Sequence, residues 1–308
     1  MEVRHGKKGK MLNRRKCILH MVRRAGRPVA HMELTKWAFL LAHETDSRGG
    51  ASFYDFLPYD YGPFSFTLFR EVGGLVRNGY LRDAKTGQRD AWEAVPDVTV
   101  DTAALPRHLL ADASRTVDRF VEEDADELLD YVYDRFPWYT VNSRIRQLAR
   151  RRDAEPKVYT IGYEGCSVDR LLNRLMRVGI RCLIDVRSNP VARRYGFHKS
   201  SLSRLCGKVE IDYVHVPEVG IPSELRRDLD GPAAYARLLA TYEKELLPRQ
   251  PEAVARISRR AAGVPTALMC MEADPRRCHR SHLAEAVAAA SGLTVQHVWG
   301  NRCDPVLS

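Results

Sequence analysis

Long apolar runs, paired cysteines and an excess of acid are what this chain lacks. No stretch stays apolar for more than about ten residues, against the roughly 18 to 20 that a membrane-spanning helix needs. The basic N-terminus has no apolar segment of the kind that directs secretion, so a cytoplasmic protein without membrane partners is expected. The seven cysteines, Cys17, Cys166, Cys182, Cys206, Cys270, Cys278 and Cys303, are odd in number and form no Cys-x-x-Cys pair. That excludes a disulfide framework and favours reduced thiols. Acidic residues number 39 against 49 Lys and Arg, a net charge of +10, which favours polyanionic partners, nucleic acid first. What is present suffices for a packed core: 44% hydrophobic and 29% charged residues in 308, a length that favours two domains.

The first 15 residues carry Arg4, Lys7, Lys8, Lys10, Arg14 and Arg15 against one acid, Glu2, and read as a basic arm. From Met11 to Leu81 the apolar spacing predicts helix, turn, helix, loop, helix. Ile18, Leu19 and Val22, then Leu34, Trp37, Ala38 and Leu41, recur at helical intervals, with Gly26-Arg27-Pro28 as punctuation. A third helix is expected from Ser65 to Asn78, stopped by Gly79, with Tyr80-Leu81-Arg82 opening a wing strand. This order of elements, together with the segment Tyr61-Gly62-Pro63-Phe64-Ser65 and the closing Leu75 to Leu81, resembles winged-helix modules, including those of the Panacea antitoxin-like group. The resemblance implies a DNA-docking domain over residues 1–100; a small helical domain for protein contact is the alternative. Residues 101–155 read as a helical connector, acidic at Glu122 to Glu127 and basic from Arg144 to Arg152.

From residue 156 onward the pattern changes. Val158-Tyr159-Thr160-Ile161, Cys182 to Val186, Tyr213 to Val216, Thr266 to Cys270 and Val295 to Val298 are apolar strand runs separated by helical stretches. Alternation of this kind predicts an α/β domain over 156–308, a Rossmann-like, mostly parallel sheet with helices on both faces, preceded by the mostly helical first half. A helix should start at Ser167 as N-cap and stop at Gly179. This half holds 23 basic and 16 acidic residues, a net +7, so most of the excess charge lies here.

Ligands of open parallel sheets bind at the carboxyl ends of the strands. The residues following each predicted strand are therefore the candidate site. The first run ends in Gly162-Tyr163-Glu164-Gly165. The second ends in Asp185, Arg187 and Asn189, with Arg193, Arg194, Phe197 and Lys199 further along. The third ends in Glu218 and Gly220, and the fourth in Cys270, Glu272, Asp274, Arg276, Arg277, Cys278, His279 and Arg280. The guanidinium groups suit phosphate, which they pair in a bidentate fork. Asn189 and Lys199 complete that set, and Tyr163 and Phe197 offer stacking surfaces. Glu164, Asp185 and Glu272 are candidate acids or bases, although Asp185 is equally suited to hold its turn through Arg187. Cys278 beside His279 and cationic arginines is a candidate nucleophile with a lowered thiol pKa. Cys270, Cys278 and His279 also supply metal-ligand atoms, but their spacing matches no familiar zinc pattern, and no metal or cofactor is expected.

The stretches YTIGYEG, IDVRSNPVARRYGF, IDYVHVPEVGIP and CMEADPRRCHRSHLA occur in order over residues 157–300 and resemble the family called domain of unknown function 488. The resemblance marks Tyr163, Asp185, Arg187, Asn189, Lys199, Glu218, Cys270, Glu272, Cys278, His279 and Arg280 as motif positions. Ala192 departs from it, since a serine commonly precedes the arginine there. Combined with a DNA-docking first half, the expectation is a DNA-processing enzyme that excises a modified or damaged base by N-glycosidic hydrolysis. Arg187, Arg193 and Arg280 would hold phosphate, and Glu164, Asp185 or Glu272 would act on water. A DNA-binding regulator sensing a small anion and a metal-dependent nuclease are the alternatives.

Overall fold

The computed structural model describes residues 11–96, 98, 105–226 and 231–298. The basic arm before Met11 and Cys303 lie outside them. The chain divides into two compact units, residues 1–150 and 151–308. Among the described residues, no helix is long and apolar enough to cross a membrane.

Unit 1 runs α1 (Asn13–Ala25), β1 (Val29–Ala30), α2 (His31–Glu44), β2 (Leu57–Tyr59), β3 (Gly62–Phe64), α3 (Phe66–Arg77), β4 (Leu81–Thr86), β5 (Arg89–Ala94), α4 (Arg107–Phe120) and α5 (Ala125–Arg135). Strands β1, β5 and β4 form an antiparallel sheet in that order, and β2 pairs with β3. The Ser65 hydroxyl accepts a hydrogen bond from the Leu68 amide at 3.2 Å and caps α3. The aromatic segment read as loop is instead the β2–β3 hairpin. At Gly62, φ is +86° and an added Cβ would stand 2.6 Å from the Tyr133 ring, so only glycine turns there. The ammonium group of Lys36, fully buried, reaches into this hairpin and donates to the carbonyls of Tyr61 at 2.5 Å and Pro63 at 3.1 Å.

Helices α4 and α5 fall in the stretch read as a connector, yet Leu109, Val117, Phe120, Leu128 and Val132 belong to the same buried cluster as Ile18, Trp37 and Leu75. The connector is thus part of unit 1. The reason is the apolar face of these helices, which local charge runs obscured.

Unit 2 contains β6 (Val158–Gly162), α6 (Val168–Val178), β7 (Cys182–Asp185), α7 (Lys199–Gly207), β8 (Asp212–His215), α8 (Gly231–Thr241), α9 (Pro251–Gly263), β9 (Thr266–Cys270), α10 (His279–Ser291) and β10 (Val295–Val298). The sheet is parallel throughout, in the order β10-β6-β9-β7-β8. Its inner strands are buried on both faces, which explains their continuous apolar runs. Cys182, Ile184, Val186, Leu268 and Cys270 face one core, shared with Ile257 of α9 and Leu283 and Val287 of α10. By alternation, Leu183, Asp185, Ala267 and Met269 face the opposite side. Helix α6 begins where Ser167 accepts the Arg170 amide at 3.1 Å and ends at Gly179, left-handed at φ +92°. Because every strand points the same way, the four loops named from sequence converge on one edge, with β9 in the middle.

Candidate functional site

Two clusters form at that edge. The first is built around Asp185, the last residue of β7, with no exposed surface. Its Oδ1 accepts the Arg187 Nε at 2.8 Å and the Arg187 amide at 3.2 Å. Its Oδ2 accepts Arg187 Nη2 at 2.5 Å and the Tyr213 hydroxyl at 2.6 Å. Arg187 also donates to the Tyr163 hydroxyl at 3.0 Å and the Phe197 carbonyl at 3.0 Å. Burial pulls the Arg187 guanidinium down, but the hydrogen bonds and charge of Asp185 more than offset it and raise it above its ordinary value. The Tyr213 phenol is pushed up by burial and by the Asp185 charge.

Of the two readings of Asp185, the pair with Arg187 is what the structure contains. A carboxylate accepting four hydrogen bonds has no lone pair left for water. Arg187, expected on phosphate, is consumed in the same way. Tyr163 and Phe197, expected under a base, stack on each other with ring centres 4.2 Å apart and are buried. His215 at the end of β8 shares a hydrogen bond of 2.9 Å with the Arg187 carbonyl.

The second cluster follows β9. Two close approaches bring its surroundings together. An added Cβ at Gly162 would stand 1.9 Å from the Glu272 carbonyl oxygen, and one at Gly220 would stand 2.3 Å from the Ser188 amide nitrogen. Glycine is required at both places so that adjacent loops can touch. Arg280, also expected on phosphate, is 1% exposed and donates to the carbonyls of Glu272 at 2.5 Å and Ala273 at 3.0 Å. It folds the loop back onto α10 rather than facing solvent.

Inside this loop Glu272 Oε2 accepts the thiols of Cys270 at 3.2 Å and Cys278 at 2.9 Å, and Oε1 accepts the Tyr235 hydroxyl at 3.1 Å. Burial pushes the Glu272 carboxyl up, but hydrogen bonds from Cys278, the backbone and Cys270, with His279 nearby, hold it below the usual carboxylate range. Burial, reinforced by Cys270, pushes the Cys278 thiol well above its ordinary value. This corrects the expectation of an activated thiolate: the side chain is sealed from solvent, and the lost hydration outweighs the opposing pull of His279. His279 Nδ1 lies 3.8 Å from the Cys270 sulfur, and its Nε2 lies 3.2 Å from the Val186 carbonyl.

The remaining predicted residues are on the rim. Asn189, Arg193, Arg194 and Lys199 are exposed, as are Glu164, Glu218, Arg276 and Arg277. Glu164 accepts the Ala273 amide at 3.0 Å. Arg276 is paired with Asp274 at 3.1 Å, and Glu218 with Arg256 at 2.8 Å. Two participants escaped the sequence reading. Tyr213 lies within a motif but mid-strand, where a tyrosine reads as packing. Tyr235 is 37 residues from Glu272, with no local signal to join them.

Residues 167–287 match the family described as Domain of unknown function DUF488. Unit 2 carries a DUF488 domain. No curated protein and no solved structure matches the chain. The DUF488 match spans both clusters from Asp185 onward, so the paired Asp185–Arg187 and the Glu272 pocket are features of the matched region. Tyr163 and Glu164 precede it.

Proposed function

We propose that the protein is a nucleic-acid-processing hydrolase, DNA favoured, that acts on a modified or damaged nucleotide at the carboxyl edge of the unit 2 sheet. The observation that carries this reading is the position of Glu272. It sits just past the end of the middle strand and is only partly buried, and of the three candidate acids it alone combines access to solvent with a pocket that holds it ionised. Asp185 is saturated, and Glu164 lies exposed on the rim. Exposed Arg193, Arg194, Lys199 and Arg277 supply cations on neighbouring loops for a phosphate backbone.

In N-glycosidic hydrolysis the Glu272 carboxylate takes a proton from water as the oxygen attacks C1′ of the sugar. The C1′–N bond breaks with its electron pair leaving on the base, which is then protonated. Unit 1 supports the same reading. Its order of α1, β1, α2, the β2–β3 hairpin, α3 and the β4–β5 pair, with β1 against β5, resembles a winged helix with a hairpin added before the third helix. In that arrangement α3 meets the groove and β4–β5 follow the backbone. Arg70 and Arg77 are exposed on α3.

The test is a panel of single- and double-stranded oligonucleotides with varied base modifications, scored for abasic sites and for strand breaks. Abasic product is expected. Glu272→Gln should lower its rate by about 10²–10⁴-fold, the usual worth of a general base, while leaving oligonucleotide affinity near that of the parent. A variant that retains the parent rate removes Glu272 from the mechanism.

A further inference from the structure

We propose that Cys270, Cys278 and His279 bind a thiophilic divalent ion of the zinc class, with Glu272 on the fourth side. Cys270 ends β9, Cys278 stands at the N-cap of α10 and His279 opens that helix, eight and nine residues on in sequence, yet the ligand atoms all lie within 4.8 Å of one another. Bond lengths of roughly 2.0–2.3 Å to nitrogen and sulfur in a tetrahedron imply ligand atoms about 3.5–3.8 Å apart. Cys270 Sγ to His279 Nδ1 is 3.8 Å.

Three further observations favour a ligand over ordinary packing. The Val186 carbonyl lies 3.2 Å from His279 Nε2. A proton held there leaves the Nδ1 lone pair directed at the sulfurs, the outer-sphere arrangement that orients metal-binding imidazoles. Both thiols converge on a single carboxylate oxygen, Glu272 Oε2, at 3.2 and 2.9 Å. Finally, the three ligands are at most 3% exposed while Glu272 is only partly buried, which leaves one open approach on the carboxylate side. Two thiolates and an imidazole are a ligand set of catalytic zinc, which keeps its fourth position for water.

Binding exchanges the two thiol protons for the ion, so that M²⁺ and two R–SH give the dithiolate complex and two H⁺. With those S–H donors gone, Oε2 would be free to accept a proton from water, and the ion would supply Lewis-acid activation of that water. This last step rests on the hydrolase reading above; the binding site does not.

The experiment uses the full chain, purified under reducing conditions, stripped with chelator and reloaded with zinc or cobalt(II). One ion per chain should remain after free metal is removed. The cobalt(II) form should show a sulfur-to-metal charge-transfer band with the intense d–d absorption of a tetrahedral site. Cys278→Ser and His279→Gln should each weaken affinity by at least tenfold, and Cys17→Ala should not. Because the serine variant is liable to misfold, alkylation of wild-type Cys270 and Cys278 gives a second reading, slowed by zinc if the ion sits there. Substoichiometric metal with no charge-transfer band in the folded wild type overturns the site, as does unchanged affinity in folded Cys278→Ser. Full-rate product from metal-free protein would leave the hydrolase reading intact and overturn the ion's part in it. Stoichiometric binding with no product on any oligonucleotide supports the site and removes the hydrolase reading instead.

Discussion

Asp185 shows how a residue's role depends on what its neighbours consume. In sequence it is an acid at a strand end, the place where an open parallel sheet puts its chemistry. In the fold its two oxygens are filled by Arg187 and Tyr213, and it works by positioning. Removing one member of a buried ion pair leaves the other charged and unsolvated, at a cost of about 3–5 kcal/mol. Asp185→Asn should therefore destabilise unit 2 by about that much. Tyr213→Phe should cost roughly 1.5–3 kcal/mol, as for a hydrogen bond to a charged group. Hydrogen exchange of the β7 and β9 amides would read both. A Tyr213→Phe protein with unchanged protection would show that the phenol contributes nothing to the pair. Glu272 is the converse case, since its partners leave it a solvent-facing side.

At the scale of elements, the β2–β3 hairpin and α2 are coupled through one amine. Burial lowers the Lys36 pKa from 10.5 to about 7. The unfolded chain holds that proton up to about pH 10.5, whereas the folded chain gives it up near 7. Between those values the unfolded state binds more protons, so stability rises with pH; below pH 7 both states are protonated and the full burial cost stands. Unit 1 is thus expected to gain on the order of a few kcal/mol between pH 7 and 10. Of the four tryptophans, Trp37, Trp92 and Trp138 lie in unit 1 and Trp299 in unit 2, so tryptophan fluorescence during urea unfolding follows unit 1 in a Trp299→Phe background. The pH-dependent gain should vanish in Lys36→Met. An equal slope in that variant would mean that other groups set the pH dependence. The helices and strands themselves were largely legible. Ser65, Ser167 and Gly179 marked their helix ends because capping is local chemistry, and five apolar runs marked five strands because burial on both faces leaves no polar positions. The β2–β3 hairpin was not legible, because its conformation depends on Lys36 and on the Tyr133 ring, which local sequence does not bring to it.

For the whole molecule, the +10 net charge is less informative than where its members end up. Arg187 and Arg280, two of the six arginines read as phosphate ligands, are inside the protein, while Arg193, Arg194 and Lys199 remain exposed. If those three contact duplex DNA, each phosphate neutralised contributes about 0.9 to the slope of log affinity against log salt. Replacing all three by Gln should reduce that slope by roughly 2 to 3 and weaken binding evenly across sequences, as measured by a fluorescence-anisotropy titration over a range of salt. An unchanged slope would exclude this loop from the nucleic-acid contact. The division into units tells a similar story, since the charge runs of residues 101–155 read as a connector while helices α4 and α5 there carry an apolar face. Their apolar residues complete the core of unit 1.

The sequence by itself determined the parallel α/β unit, the helix ends and the set of loops where chemistry collects. Each of these follows from periodicity, capping and strand direction, which act over a few residues. Only the tertiary structure decided which charges are spent inside the protein, which acid keeps an open side, and that Cys270, Cys278 and His279 share one pocket. Those outcomes depend on contacts between β6, β7, β8, α8 and α10, and a hydrogen bond or a desolvation cost exists only once such distant segments have met.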